Sequence, residues 1–208
     1  HGRSDNYIDA QILHCGAYEK PILYFLRDVM RSKGADGIFV DVGANTGQHS
    51  LFMSQHSKEV HAFEPYPRVL GRFRDMVTSN GIQNIRLHPV GLGNQKAKLP
   101  FYEPPPDNLG TGSFDPSFKS NNQAESKLEL EIVVGDEEFE RLGISKVNLI
   151  KMDIEGYEKP ALAAQLGAAR LIPQAEGDWK LLFKRSFELE QAKRSLDSIE
   201  AAANPAAT

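Results

Sequence analysis

Ile38-Phe39-Val40-Asp41-Val42-Gly43-Ala44-Asn45-Thr46-Gly47-Gln48-His49-Ser50 changes character twice within a few residues. Ile38 to Val42 is short, apolar and β-branched, the composition of a strand buried on both faces. Gly43 and Gly47 bracket a turn, and Leu51-Phe52-Met53 then opens an apolar helical pattern. Strand, glycine turn and helix form the layout of a nucleotide-type site in an open α/β sheet. Glycines there admit close backbone approach to the ligand, and a helix start offers unpaired N–H groups. The spacing is Gly-x-x-x-Gly, which is neither the dinucleotide Gly-x-Gly-x-x-Gly nor a P-loop ending in Gly-Lys-Ser/Thr. Asp41 lies at the strand end, where a carboxylate can orient the turn. Taken alone, the turn equally suits a plain strand-to-helix connection.

A second acid gives it meaning. Glu59-Val60-His61-Ala62-Phe63 reads as the next strand, closed by Glu64-Pro65. A carboxylate about 20 residues beyond a glycine turn, at the tip of the adjacent strand, is placed to accept both hydroxyls of a ribose. Pro65 cannot continue a central strand and ends it just after the acid. A solvated loop carboxylate is the plain alternative. The spacing favours an adenosine-containing cofactor.

At 208 residues the chain suffices for a single α/β domain, residues 1–208, with a proper core. Its net charge of −4 provides no broad basic footprint, so no nucleic-acid partner is expected. Arg68, Arg72 and Arg74 share one predicted helix and read as a solvated face. Cys15 is the only cysteine, which excludes an internal disulfide and fits a reducing, cytoplasmic setting. No run approaches the roughly 20 apolar residues of a membrane span. The chain opens His1-Gly2 without a methionine, as a trimmed or processed product would, so a targeting segment lost from its start would leave no trace.

In chain order, residues 1–9 read as polar and poorly ordered, and about 10–30 as a helical preface with Pro21 suited to a first turn. Val69, Leu70, Phe73, Met76 and Val77 mark an amphipathic helix ending at Asn80-Gly81. Ile85 to Val90 reads as the third strand, with Gly91-Leu92-Gly93-Asn94 a turn at its tip. Strands alternating with helices predict an open, mostly parallel Rossmann-like sheet with helices on both faces. An antiparallel hairpin is expected around 98–134, its arms Lys98–Tyr102 and Lys127–Val134. The loop between them, about 103–126, is rich in proline, glycine, serine and asparagine, and loops of that length are usually lids, binding loops or disordered. Asp136 to Leu142 reads as a short helix. Val147 to Ile154 is the fourth buried strand, and alternation puts Lys151, Asp153 and Glu155 on one side of it, facing the crevice where such sheets bind ligands. The cofactor half is thus about 36–95 and 145–160. Beyond it, Pro160 to Leu166 suggests a helix, Arg170 to Ile172 a strand, and about 177–208 an atypical helical segment, with the C-terminal strands of the class reduced or missing.

Three blocks together resemble the FkbM family of S-adenosylmethionine-dependent methyltransferases: Asp41-Val42-Gly43-Ala44-Asn45-Thr46-Gly47, Ala62-Phe63-Glu64-Pro65, and Leu149-Ile150-Lys151-Met152-Asp153-Ile154-Glu155-Gly156-Tyr157-Glu158. The resemblance covers roughly residues 38–160. It implies a class I methyltransferase fold, S-adenosyl-L-methionine as cofactor, and methylation of a hydroxyl on a sugar, glycan or small natural product. Carried onto this chain, it gives Gly43, Asn45 and Gly47 the methionine and ribose side, with Asp41 and Pro65 beside them and Glu64 on the ribose diol. It places Asp153, Glu155 and Glu158 next to the transfer site, and Asn108 and Ser113 on the substrate-side loop. Two departures stand out: Val134-Gly135-Asp136 keeps only the acid of the family's Thr-Leu-Asp, and Gln174-Ala175-Glu176 matches a later acidic strand tip poorly.

An alcohol is a poor nucleophile until its proton is taken or shared, which assigns Glu155 or Asp153 as base. A divalent ion held by Asp153 and a neighbouring acid, polarising the hydroxyl, is the lesser alternative. The six His residues show no ligand spacing, and no metal is expected. A turn of the Asn/Asp-Pro-Pro-aromatic type, used for amino-group methylation of bases, is absent after the fourth strand. Two rivals remain: an NAD-dependent oxidoreductase, disfavoured by the glycine spacing, and a non-catalytic cofactor-binding or scaffold protein. An uncovered sheet edge would be relieved by homodimerisation.

Overall fold

The computed structural model describes residues 7–32, 37–105, 112–115, 128–155, 157–158, 161 and 181–183. Its elements run α1 (Tyr7–Cys15), α2 (Lys20–Ser32), β1 (Ile38–Val42), α3 (Gln48–Met53), β2 (Glu59–Phe63), α4 (Pro67–Ser79), β3 (Ile85–His88), β4 (Gly91–Gly93), β5 (Ala97–Pro100), β6 (Glu129–Val134), α5 (Gly135–Leu142), β7 (Leu149–Met152) and β8 (Leu181–Phe183). The main sheet is parallel throughout, in the order β3-β2-β1-β7-β8. The chain steps outward from β1 to β3, then returns to the other flank of β1 as β7. That reversal between β1 and β7 opens a crevice at the carboxyl ends of both strands.

Alternation along β1 sends side chains to two different cores. Phe39 packs with Leu26, Val29 and Met30 of α2, Met53 of α3 and Phe73 of α4. Val40 and Val42 pack on the opposite face with Leu92, Val133 and Phe139. Strands buried on both faces need continuous apolar runs, and the sequence Ile-Phe-Val-Asp-Val supplies one with a single acid set into it. The second face is covered by α5 and a small sheet in the order β4-β6-β5, in which β5 and β6 form the expected antiparallel hairpin.

Several expectations are corrected. Residues 91–93 form strand β4, parallel to β6, rather than a turn. A Cβ on Gly91 or Gly93 would meet Ile132 at 2.6 or 2.5 Å, so glycine lets this strand lie against β6. Residues 7–9 belong to helix α1, and Arg72 is no solvated helix residue: its guanidinium donates twice to the Asp9 carboxylate, at 2.8 and 3.0 Å. Leu181–Phe183, expected to be helical, is instead a strand paired with β7, at the edge of the sheet. The expected strand at 170–172 and most of the helix at 160–166 lie outside the described residues. No helix among the described residues is long and apolar enough to cross a membrane.

Candidate functional site

The glycine turn is anchored to β2 before any ligand is considered. The N–H groups of Gly43 and Ala44 both donate to the Phe63 carbonyl, at 2.9 and 3.1 Å. Gly43 is left-handed, with φ 76°, and a Cβ there would fall 2.0 Å from the Asp153 carbonyl oxygen. The missing side chain therefore lets the β1 tip close onto the β7 tip. Gly47 serves a different end: with φ 85°, it presents its bare Cα to the Phe73 ring, which a Cβ would meet at 2.2 Å. Gly43 lines the cavity described below and Gly47 does not. Asn45, also left-handed at φ 52°, donates its N–H to Glu64 Oε2 at 2.8 Å.

Glu64 is buried at the β2 tip. Its second oxygen, Oε1, accepts the Tyr66 N–H at 2.8 Å, so each carboxylate oxygen holds one backbone donor. Burial pushes the acid up to about 7, against the opposing pull of the Tyr66 and Asn45 N–H groups and of Lys151. Pro65 follows on the cavity wall.

Beneath the turn, Lys151 of β7 is buried between two acids. Its Nζ lies 3.2 Å from Asp41 Oδ1 and 3.7 Å from Asp153 Oδ2, and donates to the Gly43 carbonyl at 3.2 Å. Asp41 is fully buried and accepts the Ser50 hydroxyl at 2.7 Å. It braces the turn from below and does not line the cavity. Lys151 was visible as a crevice-side residue from strand alternation, but its link to Asp41, 110 positions away in the chain, was not.

A cavity of about 240 Å³ opens above these groups. Gly43, Asn45, Glu64, Pro65, Asp153 and Glu155 all line it, so the two strand tips singled out from sequence share one hollow. Other predicted residues stand apart. Glu158 turns back to accept the Ile154 N–H at 3.1 Å, bracing the segment after β7. Ser113 is buried with its hydroxyl on the Glu155 carbonyl, and Asn108 lies outside the described residues. One side of the cavity, unforeseen from sequence, is a wall of rings, Tyr66, Phe101, Phe114 and Tyr157, with successive centroids 5.0, 5.2 and 5.4 Å apart. Nothing in linear spacing brings those four together. The His49 ring is buried, lines the same cavity and sits 3.5 Å from Glu19.

Residues 41–185 match the family model described as the methyltransferase FkbM domain. Methyltransferase 1 of Beauveria bassiana is 29% identical over 143 residues, covering 61% of this chain and 57% of that protein. Hexuronic acid methyltransferase AglP of Haloferax volcanii is 26% identical over 147 residues, covering 71% of this chain and 57% of that protein. The chain thus spans a little over half the length of these curated relatives. Among solved structures, the methyltransferase FkbM of Methylobacillus flagellatus superposes with a TM-score of 0.53 at 20% identity, over 79% of this chain and 38% of that one. An rRNA methylase from Streptococcus thermophilus gives 0.50 at 14% identity, over 86% of this chain and 81% of that one. At such identities these two structures speak to the α/β fold alone.

Proposed function

The chain belongs to the FkbM methyltransferase family, and on that premise we propose that it transfers a methyl group from S-adenosylmethionine to a hydroxyl of a sugar, glycan or small natural product. The observation that carries the reading is the shared cavity: Glu64 at one strand tip, Asp153 and Glu155 at another, and the glycine turn between them.

The donor set fits an adenosyl cofactor. A carboxylate has about four lone-pair sites, and the backbone of Asn45 and Tyr66 takes two on Glu64. The remaining two suit the vicinal hydroxyls of a ribose. Tyr66, Val69, Leu92 and Phe101 form an apolar stretch of the same wall for a purine, and Gly43 and Asn45 would hold the amino-acid side. The cofactor, when bound, supplies an electrophilic methyl on a sulfonium.

The chain's own work is to orient and to accept a proton. In-line displacement demands that the acceptor oxygen be held against the methyl, so much of the rate comes from positioning. Asp153 or Glu155 then takes the hydroxyl proton as the new bond forms. A sugar-type acceptor is supported by the likeness to a protein named for hexuronic acid methylation, at 26% identity. Aromatic walls with a few polar groups are also common in small-molecule sites.

Thermal-shift titration with S-adenosylhomocysteine and with NADH, followed by methyl transfer to a panel of glycans and hydroxylated small molecules, tests the proposal. Stabilisation by the former alone, with turnover, supports it. Stabilisation by NADH would favour the oxidoreductase reading, and binding without turnover on any hydroxyl would favour a non-catalytic cofactor binder.

A further inference from the structure

Ser113 does not reach the cavity, yet it touches a residue that does. Its hydroxyl donates to the Glu155 carbonyl at 2.6 Å across 42 residues of chain, and accepts the Asp115 N–H at 2.9 Å. The serine is held by more than this side chain: its backbone exchanges hydrogen bonds with Tyr102 at 2.9 and 3.2 Å. Its neighbour Phe114 packs against Tyr157. Residues 113 and 114 therefore grip the segment that follows β7.

The residue they grip is in an unusual conformation. Glu155 is left-handed, with φ 50°, a region that L side chains seldom adopt. Such a residue persists only where its surroundings over-determine it. The Ser113 bond is one such restraint; the return of Glu158 onto the Ile154 N–H is another.

We propose that Ser113 is a positioning residue, holding Glu155 through its carbonyl in the left-handed conformation that keeps this acid on the cavity wall. The importance of that placement for methyl transfer rests on the function proposed above; the tether itself does not.

Hydrogen–deuterium exchange on the whole chain, read at residues 153–158, tests the tether. Ser113→Ala should speed exchange there by about tenfold while leaving β1 and β2 protected, and Ser113→Thr, which keeps the hydroxyl, should restore it. Unchanged exchange in the alanine variant overturns the proposal, as does a rise spread over the whole sheet. Should Ser113→Ala fail to fold, Ser113→Cys takes its place, keeping the volume while losing the strong donor.

The functional half is read by turnover on an acceptor from the glycan and small-molecule panel that the wild type methylates. Ser113→Ala should lower turnover by about tenfold with S-adenosylhomocysteine affinity changed by no more than about twofold, and should add nothing in a Glu155→Gln background. An equal further loss in that background overturns action through Glu155. If Glu155→Gln leaves turnover unchanged, the acid's proposed role and the purpose of the tether fall together, while the exchange result still decides whether the tether exists.

Discussion

Asn45 donates its backbone N–H to Glu64 Oε2 at 2.8 Å, so the glycine turn and the buried acid at the β2 tip are one hydrogen-bonded unit. The Tyr66 N–H completes it on the other oxygen. A ligand held by Glu64, as proposed, would therefore also sense the shape of the turn.

This unit predicts an unusual substitution pattern. With donors at both oxygens, Glu64→Gln must aim its amide NH₂ at one backbone N–H, leaving an unsatisfied buried donor worth about 1–3 kcal/mol. Glu64→Ala loses two ligand hydrogen bonds to a charged acceptor, each about 1.5–3 kcal/mol, so S-adenosylhomocysteine affinity should fall on the order of 100-fold or more. Calorimetric titration and a denaturation series on both variants check this.

The pH dependence of the same group has a definite sign. The folded-state value of Glu64 is raised from 4.5 to about 7, so the protonated acid favours the fold; that contribution is complete below about 4.5 and lost as pH rises through about 7. Ligand binding runs the opposite way, because the ionised carboxylate is the better acceptor for hydroxyl donors. S-adenosylhomocysteine affinity should rise as pH is raised through about 7, and Glu64→Gln should abolish that rise.

Under the turn, Lys151 compensates Asp41 in the interior. Lys151→Met should destabilise the fold by about 3–5 kcal/mol by leaving a buried carboxylate unpaired. Lys151→Met with Asp41→Asn should recover part of that loss. Urea midpoints of the two singles and the double provide the cycle.

Gly47 offers a test of what the second glycine is for. Gly47→Ala combines a left-handed alanine, about 1–2 kcal/mol, with overpacking against Phe73, typically 1–3 kcal/mol. If the ring is the obstacle, Phe73→Leu should relieve part of the penalty. A Gly47→Ala cost unaffected by residue 73 would contradict the packing role.

Acid stability should be set in part by a stacked pair, His61 and His88, whose Nδ1 and Nε2 are 3.0 Å apart. One ring must donate and the other accept, so the contact fails if both are protonated. Burial, then the neighbouring His61, pushes His88 down to about 4, and burial also lowers His61. Their contribution is complete above about 6.5 and is lost as pH falls towards about 4. Denaturation midpoints should fall over that window and fall less in His88→Gln.

What could be read from sequence was what is local or periodic. Ile38–Val42 and Glu59–Phe63 announce themselves by continuous apolar runs, and Glu64 by its distance from Gly43. What escaped depends on contacts distant in the chain. Gly91-Leu92-Gly93 has turn composition, and its pairing with Ile132–Val134 of β6 is what makes a strand of it. Arg72 looks like a solvated helix residue until Asp9, 63 positions earlier, is folded against it. Ser113 carries a loop signature, while its hydrogen bond to Glu155 belongs to the folded site alone.

The most direct test of the central claim is a crystal structure of the protein grown with S-adenosylhomocysteine. The account predicts both ribose hydroxyls on the Glu64 carboxylate and the sulfur facing Asp153 and Glu155 across Gly43. A nucleoside bound away from Glu64, or a sulfur directed away from the β7 tip, would contradict it.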